Sequence, residues 1–403
     1  MIELDIHPNQ KSQNSRAGSR VLQALSRRLE QMNSRITRGS LEVTYPNEAI
    51  QLIGSGEPRA TVKIKHWGAI SALVSKGDVG WGEAYIDGLW DSPDIEALAR
   101  FTIDNAEAFK AELSASPLKR LLLIASDRII RRNSRRGSIR NISSHYDVGD
   151  DFYKLWLDET MTYSSALFAD PSDDLATAQK RKYQRLLETT ASAGNRTLEI
   201  GCGWGGFAEI AAETGRDLTA ITISKRQFEF ATRRLKQKAD IQLRDYRDVE
   251  GKFDSIVSIE MIEAVGERYW PIYFKTIKDR LGDHGKAAIQ AIIVEDSYFP
   301  IYRQRSDFIR QHVFPGGMLL SPLKIQDAAA NAGLKVDNLF RFGKDYVTTL
   351  RLWLSKFEAS LPEIHALGYD DRFVRVWRYY LAICAATFAS GRTDVVQIEL
   401  THA

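Results

Sequence analysis

Apolar and polar positions in the second half of the chain alternate between strand-like and helix-like spacing. Arg196 to Ile200 is a short apolar run, Gly205 to Glu213 has helical spacing, and Asp217 to Ile223 is again strand-like. Lys225 to Lys236 predicts a further helix and Phe253 to Ile259 a further strand. This repetition is typical of a parallel sheet covered by helices on both faces, so we predict a doubly wound α/β fold with ligands at the carboxyl ends of its strands.

The first part of the chain predicts a smaller unit of mixed strands and helices. Leu41 to Thr44 and Ala60 to Lys65 alternate like strands, with turn signals between them, while Ala69 to Val74 and Ile95 to Leu113 have helical spacing. Together they indicate a small N-terminal α+β domain. Upstream, apolar residues from Val21 to Ile36 recur at steps of three and four, which predicts an amphipathic helix that packs on its own domain or lies on a membrane surface.

Charge marks the junction between the two predicted domains. Residues 1–140 hold 21 of the 55 Lys and Arg but only 16 of the 52 Asp and Glu, so the positive excess is N-terminal. From Lys119 to Arg140 a run of basic residues accompanies a single acid, Asp127. Such a run is either a solvated linker or a surface that attracts anionic lipid headgroups or nucleic acid. We therefore divide the chain into a disordered start with the amphipathic helix (1–38), the α+β domain (39–118), a basic linker (119–142) and the α/β domain (143–403).

Composition narrows the class of protein. A chain of 403 residues with 44% hydrophobic and 27% charged residues is neither collagen-like nor broadly disordered. No apolar stretch approaches the roughly 20 residues that a bilayer span requires, and the polar first ten residues lack the pattern of a secretory signal. Cys202 and Cys384 offer neither a disulfide framework nor metal-ligand spacing. We expect a cytoplasmic protein without a metal site.

The sharpest local motif runs from Thr197 to Gly206, where a predicted strand meets a predicted helix. Its closely spaced glycines allow a tight turn and a close approach of the backbone to a ligand, and a dinucleotide site would use such a turn for a pyrophosphate. Glu199, which we place inside the turn, would repel pyrophosphate and suits a cationic amino-acid ligand instead. The next strand, Leu218 to Ile223, also lacks the terminal acid that binds a ribose in dinucleotide folds. A plain structural turn built from small residues is the alternative.

With these motifs in place, the sequence resembles the cyclopropane fatty acid synthase family, including the mycolic acid cyclopropane synthases. The resemblance implies a Rossmann-like methyltransferase sheet. Matching segments follow one another along nearly the whole chain: Lys76 to Gly80, Glu83 to Pro93, His145 to Gly149, Met161 to Ser164, Leu198 to Gly206, Ile221 to Ser224 with Gln227, Arg244 to Asp248, Met261 to Gly266, Phe314 to Gly317 and Asp345 to Leu350.

The resemblance implies that S-adenosylmethionine is the cofactor. Gln227 is expected to hold ribose hydroxyls in place of the missing acid. Besides Glu199, the expected cofactor-binding residues are Tyr163, Ser164, Gly201, Gly203, Thr222, Gln227, Tyr246 and Arg247.

The resemblance also implies a bicarbonate ion that accepts a proton during the reaction, and here the match is incomplete. Glu263 and Tyr346 stand at the family's Glu and Tyr positions, whereas Ser165 replaces a Cys and Gln290 replaces a His. Both replacements form hydrogen bonds, Ser through its hydroxyl and Gln through its amide, but neither titrates near neutral pH. Two readings stay open: a bound bicarbonate in a neutral shell, or Glu263 or Tyr346 as the proton acceptor.

The function expected from the resemblance is C-methylation of the double bond of unsaturated phospholipid acyl chains by a cytoplasmic enzyme on the inner face of the membrane. Aromatic residues such as Trp270, Phe314, Trp353 and Tyr380 would supply apolar walls for the chain or pack in the core. Cyclopropane, methyl, methylene and furan-precursor products all stay open, as does a non-catalytic lipid-binding homologue. The expected partners are anionic lipids of the membrane surface and no nucleic acid, and a homodimer is left open.

Overall fold

The computed structural model describes Arg27 and residues 29–109 and 148–403. The chain forms two compact units, Met1–Lys119 and Arg120–Ala403. The predicted basic linker, with Arg131, Arg132, Arg135 and Arg136, lies outside the described residues, as do most of the amphipathic helix and of the His145 to Gly149 motif. The predicted domain boundaries and the docking role of the smaller domain stay predictions.

The smaller unit contains a four-stranded mixed sheet with strand order β2-β1-β3-β4. Strand β1 pairs antiparallel with β2 and parallel with β3, and β4 closes the sheet antiparallel to β3. Its elements are β1 (Ser40–Thr44), β2 (Ile50–Gly54), β3 (Arg59–Ile64), α1 (Gly68–Lys76), α2 (Asp78–Ile86), β4 (Trp90–Asp91), α3 (Ile95–Asp104) and α4 (Ala106–Phe109).

Strand β2 was not predicted, because its apolar side chains do not form a buried face. Ile50 and Leu52 are 66% and 56% exposed, and Gly54 at the end of β2 is one of the turn signals between the two predicted strands. Helix α3 began where expected, since Asp94 accepts a hydrogen bond from Ala97 N–H and so caps the first turn.

Part of the predicted amphipathic helix falls within the described residues. Residues 29–33 are helical, and Leu29 and Met32 on its apolar face are buried. The side chain of Asn33 accepts from Gly54 N–H at 2.6 Å. This segment therefore packs on its own unit.

The larger unit is built on a seven-stranded sheet of order β10-β11-β9-β8-β5-β6-β7. Neighbouring strands from β9 to β7 run parallel, and β11 inserts antiparallel between β9 and β10. The strands are β5 (Arg196–Ile200), β6 (Asp217–Thr222), β7 (Asp240–Leu243), β8 (Phe253–Ile259), β9 (Leu281–Val294), β10 (Leu334–Arg341) and β11 (Thr393–His402).

Helices cover both faces of this sheet. They are α5 (Asp150–Lys154), α6 (Leu175–Thr189), α7 (Gly206–Glu213), α8 (Lys225–Leu235), α9 (Trp270–Arg280), α10 (Phe299–Arg303), α11 (Phe308–His312), α12 (Pro322–Asn331), α13 (Gly343–Ala359), α14 (Leu361–Ala366) and α15 (Asp371–Ala389).

Two buried clusters lie on opposite sides of the sheet. One joins strand residues to α6, α7 and α8 through side chains such as Leu186, Phe207 and Leu235. The other joins the sheet to α9 and α12 through Phe274 and Ile325. Burial on both faces confirms the predicted doubly wound α/β fold. None of the helices among the described residues combines the length and apolar character needed to cross a bilayer.

Candidate functional site

The glycine-rich turn follows β5 and leads into α7. Gly201, Gly203 and Gly205 have positive φ angles of 86°, 52° and 87°, a region that favours residues without a Cβ. The N–H of Gly201 donates to Ile221 O at 3.0 Å and ties the turn to β6. A Cβ on Gly201 would lie 2.8 Å from Cγ of Met261, whereas one on Gly203 would meet nothing within 4 Å. The turn therefore packs against protein at Gly201 and borders open space at Gly203.

Glu199 lies in β5, one residue before the strand ends, and not inside the turn as the sequence suggested. Its carboxyl group is buried, and Oε2 has no hydrogen-bond partner among the residues that the structure describes. Burial raises the pKa of Glu199 to about 8, against a smaller opposing effect of the Lys182 charge. A nearby cation would favour the ionised form of such a group, so this carboxyl suits a positively charged ligand.

The carboxyl end of β6 presents two polar side chains that were expected at the cofactor. Thr222 Oγ1 donates to Gln227 Oε1 at 2.9 Å and accepts from Ser224 N–H at 3.1 Å. Ser224 in turn caps α8 by accepting from Gln227 N–H. Because the amide oxygen of Gln227 is engaged, its NH2 group remains for a ligand oxygen.

Tyr246 and Arg247 lie on the 3-10 turn Tyr246–Asp248, which follows β7. Arg247 donates to both carboxylate oxygens of Asp245, from Nε at 2.8 Å and from Nη2 at 2.5 Å. Its guanidinium also lies 5.4 Å from the centre of the Tyr246 ring. The pair therefore forms a fixed wall beside the carboxyl ends of the strands, and Arg247 is not a free surface charge.

Glu260, which the sequence analysis did not identify, accepts three hydrogen bonds just after β8. Oε1 accepts from Ser165 N–H at 2.9 Å and from Gln290 Nε2 at 2.8 Å, and Oε2 accepts from Tyr346 Oη at 2.9 Å. Its backbone φ is 47°, a strained conformation that costs about 1–3 kcal/mol and clusters at functional sites. Three of the four predicted catalytic residues thus meet on a carboxylate that was not predicted.

Ser165 contributes differently from expectation. Its backbone N–H, and not its hydroxyl, bonds Glu260, while the hydroxyl donates to Ala166 O at 3.1 Å. The side chain of Ser165 is fully buried, so the hydroxyl has a structural partner.

Glu263 lies on the 3-10 turn Ile262–Ala264, close to Glu260, and not on an α-helix. Oε1 accepts from Ile292 N–H at 2.5 Å, while Oε2 is buried without a partner in the described part of the chain. Burial, and then the charge of Glu260, raises the pKa of Glu263 to about 8. Glu263 is therefore mainly protonated at neutral pH.

Lys182 is a buried base that the sequence analysis also missed. Its Nζ donates to Ser164 Oγ at 2.6 Å, which engages a residue expected at the cofactor. Burial lowers the pKa of Lys182 to about 7, against the opposing charges of Glu260, Asp158 and Glu199. The available signal was its position on α6, because Lys182 falls at the helical spacing of the buried residues of that helix.

An aromatic cluster surrounds Tyr163. Tyr163 Oη donates to Tyr380 Oη at 2.9 Å, and its ring centre lies 5.3 Å from that of Trp353. Tyr153 links the cluster to Trp204 of the glycine-rich turn at 5.0 Å, and Trp353 links it to Tyr346 at 5.9 Å. We define the aromatic cluster as Tyr153, Trp156, Tyr163, Phe314, Trp353, Trp377 and Tyr380.

The aromatic residues considered in the sequence divide between two places. Trp270, Tyr273 and Phe299 belong to the core cluster on the α9 and α12 side of the sheet. Phe314 and Tyr380 instead pack against each other beside Tyr163, with ring centres 5.8 Å apart. The first group therefore stabilises the sheet, and the second lines the site.

The predicted residues form two adjoining groups. Apart from Tyr163 and Ser164, the cofactor candidates lie at the ends of β5, β6 and β7. Three of the catalytic candidates, Ser165, Gln290 and Tyr346, meet on Glu260 just after β8. The side chain of Met261, which directly follows Glu260, lies beside Gly201. The cofactor candidates and the catalytic candidates are therefore neighbours. The arrangement combines a glycine-rich ligand turn, an aromatic wall and buried carboxyl groups.

Comparisons with known proteins identify the relatives of this chain. The model of the family described as mycolic acid cyclopropane synthetase matches residues 133–398. The chain is 36% identical over 367 residues to a tuberculostearic acid methyltransferase of Mycobacterium tuberculosis, covering 86% of this chain and 84% of the relative. It is 31% identical over 362 residues to the cyclopropane-fatty-acyl-phospholipid synthase of Escherichia coli, covering 88% and 92%.

A solved structure supports the same relationship. The crystal structure of a mycolic acid cyclopropane synthase complexed with SAH and CTAB is similar to this chain with a TM-score of 0.61 and 28% identity. The similarity covers 65% of this chain and 97% of that structure.

Proposed function

Since the chain belongs to the mycolic acid cyclopropane synthetase family and is an S-adenosylmethionine-dependent methyltransferase, we propose that it methylates a carbon of an isolated double bond in an unsaturated phospholipid acyl chain. The observation that carries the proposal is the contact between the glycine-rich turn and an aromatic cluster that leads to buried carboxyl groups. An alkene is a weak nucleophile, so its methylation needs a site that excludes water and tolerates positive charge.

The residues around the turn suit S-adenosylmethionine. Bound there, the cofactor supplies a methyl group on a positively charged sulfur. The unpaired buried carboxyl of Glu199 would bind positive charge on its amino-acid part. Gly203 leaves room for a ligand next to the backbone, and the NH2 group of Gln227 would bond a ribose hydroxyl.

The aromatic cluster suits the acyl chain and the cation that methylation produces. Its rings are apolar, and the faces of aromatic rings attract positive charge by about 0.5–2 kcal/mol for each well-placed ring. Trp156 and Trp353 are fully buried, so water has little access behind Tyr163. Tyr163 would therefore stand between the methyl donor and the acyl chain.

The fate of the proton decides the product. Loss from the new methyl group closes a cyclopropane ring, whereas loss from another carbon leaves an open methyl- or methylene-bearing chain. The relatives named above include both a methyltransferase and a cyclopropane synthase, so an open-chain product is our second candidate. We further propose that the enzyme works at the surface of the membrane, where such chains are found.

Mass spectrometry of acyl chains tests the proposal. The purified full chain is incubated with methyl-labelled S-adenosylmethionine and vesicles of mixed unsaturated phospholipids. We expect acyl chains that carry the label, and chromatography against standards separates cyclopropane, methyl and methylene products. If the chain binds the cofactor but labels no lipid, a non-catalytic lipid-binding protein or another acceptor is the better interpretation.

A further inference from the structure

We propose that Oε2 of Glu260 accepts the proton in this reaction, in the place that the family resemblance gives to a bicarbonate ion. The inference rests on the proposed function, since it names the base of that reaction. It differs from both sequence-based readings, which considered a bound ion or Glu263 or Tyr346 as the base.

The first argument is that Glu260 already engages donors on three of the residues expected to hold the ion. Ser165 N–H, Gln290 Nε2 and Tyr346 Oη all donate to its carboxylate within 2.9 Å. An external anion would have to displace this side chain from three hydrogen bonds, each worth about 1.5–3 kcal/mol when an ion is involved. The site therefore does not fit a bicarbonate ion, and the side chain supplies an equivalent carboxylate.

The second argument is that a chain of hydrogen bonds determines which way the Gln290 amide faces. Arg185 has only donors, and its Nη1 donates to Gln397 Oε1 at 2.9 Å. The NH2 group of Gln397 then faces Gln290 Oε1 at 3.1 Å. The NH2 group of Gln290 must consequently face Glu260, so this contact is a donor to the carboxylate and not a swapped amide.

The third argument distinguishes the two carboxylate oxygens. Oε1 faces two N–H groups, Ser165 N and Gln290 Nε2, which can only donate. Oε2 faces the hydroxyl of Tyr346, which both donates and accepts. When Oε2 gains a proton, the Tyr346 hydroxyl can turn and accept from it, whereas a proton on Oε1 would face two N–H groups that cannot accept.

The surroundings favour a carboxylate that is ready to take a proton. Burial raises the pKa of Glu260, while the charge of Lys182 and the hydrogen bonds from its three donors act in the opposite direction. The donors and Lys182 thus favour the carboxylate form, while burial makes that carboxylate a stronger base than a solvated one. Glu263 is mainly neutral beside it, so the two carboxyl groups do not both carry charge.

The step balances as follows. The π electrons of the alkene form the bond to the methyl carbon, and the methyl–sulfur bond breaks with its electron pair left on sulfur. The neighbouring carbon becomes a cation. A C–H bond next to it then breaks, its electrons form either the ring bond or a new double bond, and the proton passes to Oε2 of Glu260. The proton leaves to solvent after the product does.

Two substitutions and one buffer condition test the inference. In Glu260→Gln we expect the rate of labelled acyl product to fall by roughly 100-fold or more, the range for loss of a general base, with S-adenosylmethionine affinity close to that of wild type. Exposed Glu213 provides the control Glu213→Gln, which should keep the wild-type rate. Wild-type enzyme in bicarbonate-depleted buffer should also keep its rate.

The second variant is Glu260→Gly. The positive φ angle at position 260 suits glycine, and removal of the side chain opens space beside the three donors. We expect a slow enzyme whose rate rises saturably with added formate or bicarbonate. Thermal unfolding and cofactor titration establish that each variant is folded.

Three outcomes would overturn the inference. These are a wild-type rate in Glu260→Gln, a wild-type rate in Glu260→Gly without added anion, and a wild-type enzyme that requires bicarbonate. In each case labelled product from the wild type would leave the proposed function standing. If the wild type labels no acyl chain, the proposed function fails and the inference fails with it.

Discussion

Among single residues, Glu260 and Glu263 show how hydrogen-bond donors affect the protonation state of a buried carboxyl group. Three donors converge on Glu260, whereas Glu263 receives one backbone N–H and keeps one buried oxygen unpaired. Hydrogen bonds from donors favour the ionised form, and burial without them favours the neutral one. Two acids three positions apart therefore have different roles: Glu260 suits proton acceptance, and Glu263 acts as a neutral neighbour.

The state of Glu263 leads to a prediction on stability. The ordinary pKa of 4.5 rises to about 8 in the folded protein, so folding favours the protonated form. That contribution is complete below about pH 4.5 and is lost as the pH rises to about 8. In Glu263→Gln we expect the free energy of unfolding to fall less between roughly pH 5 and pH 9 than in the wild type, by about 4 kcal/mol.

Urea unfolding of the ligand-free protein at several pH values measures this difference. The control is Glu213→Gln, which removes an exposed glutamate and should follow the wild type. If Glu263→Gln keeps the wild-type dependence on pH, Glu263 is ionised in the folded protein and the assignment of a neutral acid is wrong.

The sequence could indicate Glu263 but not Glu260, and the reason is physical. Glu263 lies in a motif that resembles a family, whereas Glu260 is important only because Ser165, Gln290 and Tyr346 reach it from three distant parts of the chain. Nothing local distinguishes it from a surface acid. Lys182 was missed for a related reason, since a lysine on a helix is ordinarily solvated and its burial depends on the packed sheet.

At the scale of elements, the strand-turn-helix unit around Gly203 allows a matched test. Gly203 and Gly215 both have positive φ angles, 52° and 80°, and a Cβ at either would meet nothing within 4 Å. Replacing either glycine with alanine should therefore lower the free energy of unfolding by a similar amount, about 1–2 kcal/mol, because of backbone strain. Only Gly203 borders the proposed cofactor space.

We expect Gly203→Ala to weaken S-adenosylmethionine binding by roughly tenfold or more, about 1.4 kcal/mol, and Gly215→Ala to leave it unchanged. Isothermal titration calorimetry gives the affinities, and thermal unfolding gives the shared cost in stability. Equal affinities in the two variants would show that the open space at Gly203 is not part of the cofactor site.

The elements also show where prediction from the sequence stops. The runs that became β5, β6 and β8 are apolar because both faces of each strand are buried, so their pattern was clear. Strand β7 is short and only partly buried and left no such pattern. After β9 the sheet is completed by the antiparallel pair β10 and β11, which are separated in the chain by α13, α14 and α15. The regular alternation of strand and helix ends there, so it could not predict these two strands.

At the scale of the whole molecule, the uneven distribution of charge supports a prediction on membrane binding. Arg131, Arg132, Arg135 and Arg136 lie outside the described residues, but their charges follow from the sequence. Each basic residue near an anionic surface contributes about 1 kcal/mol, and salt screens the attraction. Replacing all four with glutamine should weaken binding to anionic vesicles strongly at low ionic strength and little at high ionic strength.

Vesicle sedimentation at two salt concentrations measures the effect. A matched control replaces four exposed basic residues of the larger unit, Lys225, Arg233, Lys236 and Lys238. If both quadruple variants bind vesicles as the wild type does, the basic run is a linker and another surface docks the enzyme.

The position of β11 has a consequence for the order in which the active site forms. In the described part of the chain, strand β10 pairs only with β11. Strand β11 also carries Gln397, which orients Gln290 from the neighbouring strand β9. A domain generally folds as a unit, so the larger unit can complete its sheet only after the last strand, Thr393–His402, has been synthesised. The strand that is made last therefore both closes the sheet and orients the residue that contacts the proton acceptor.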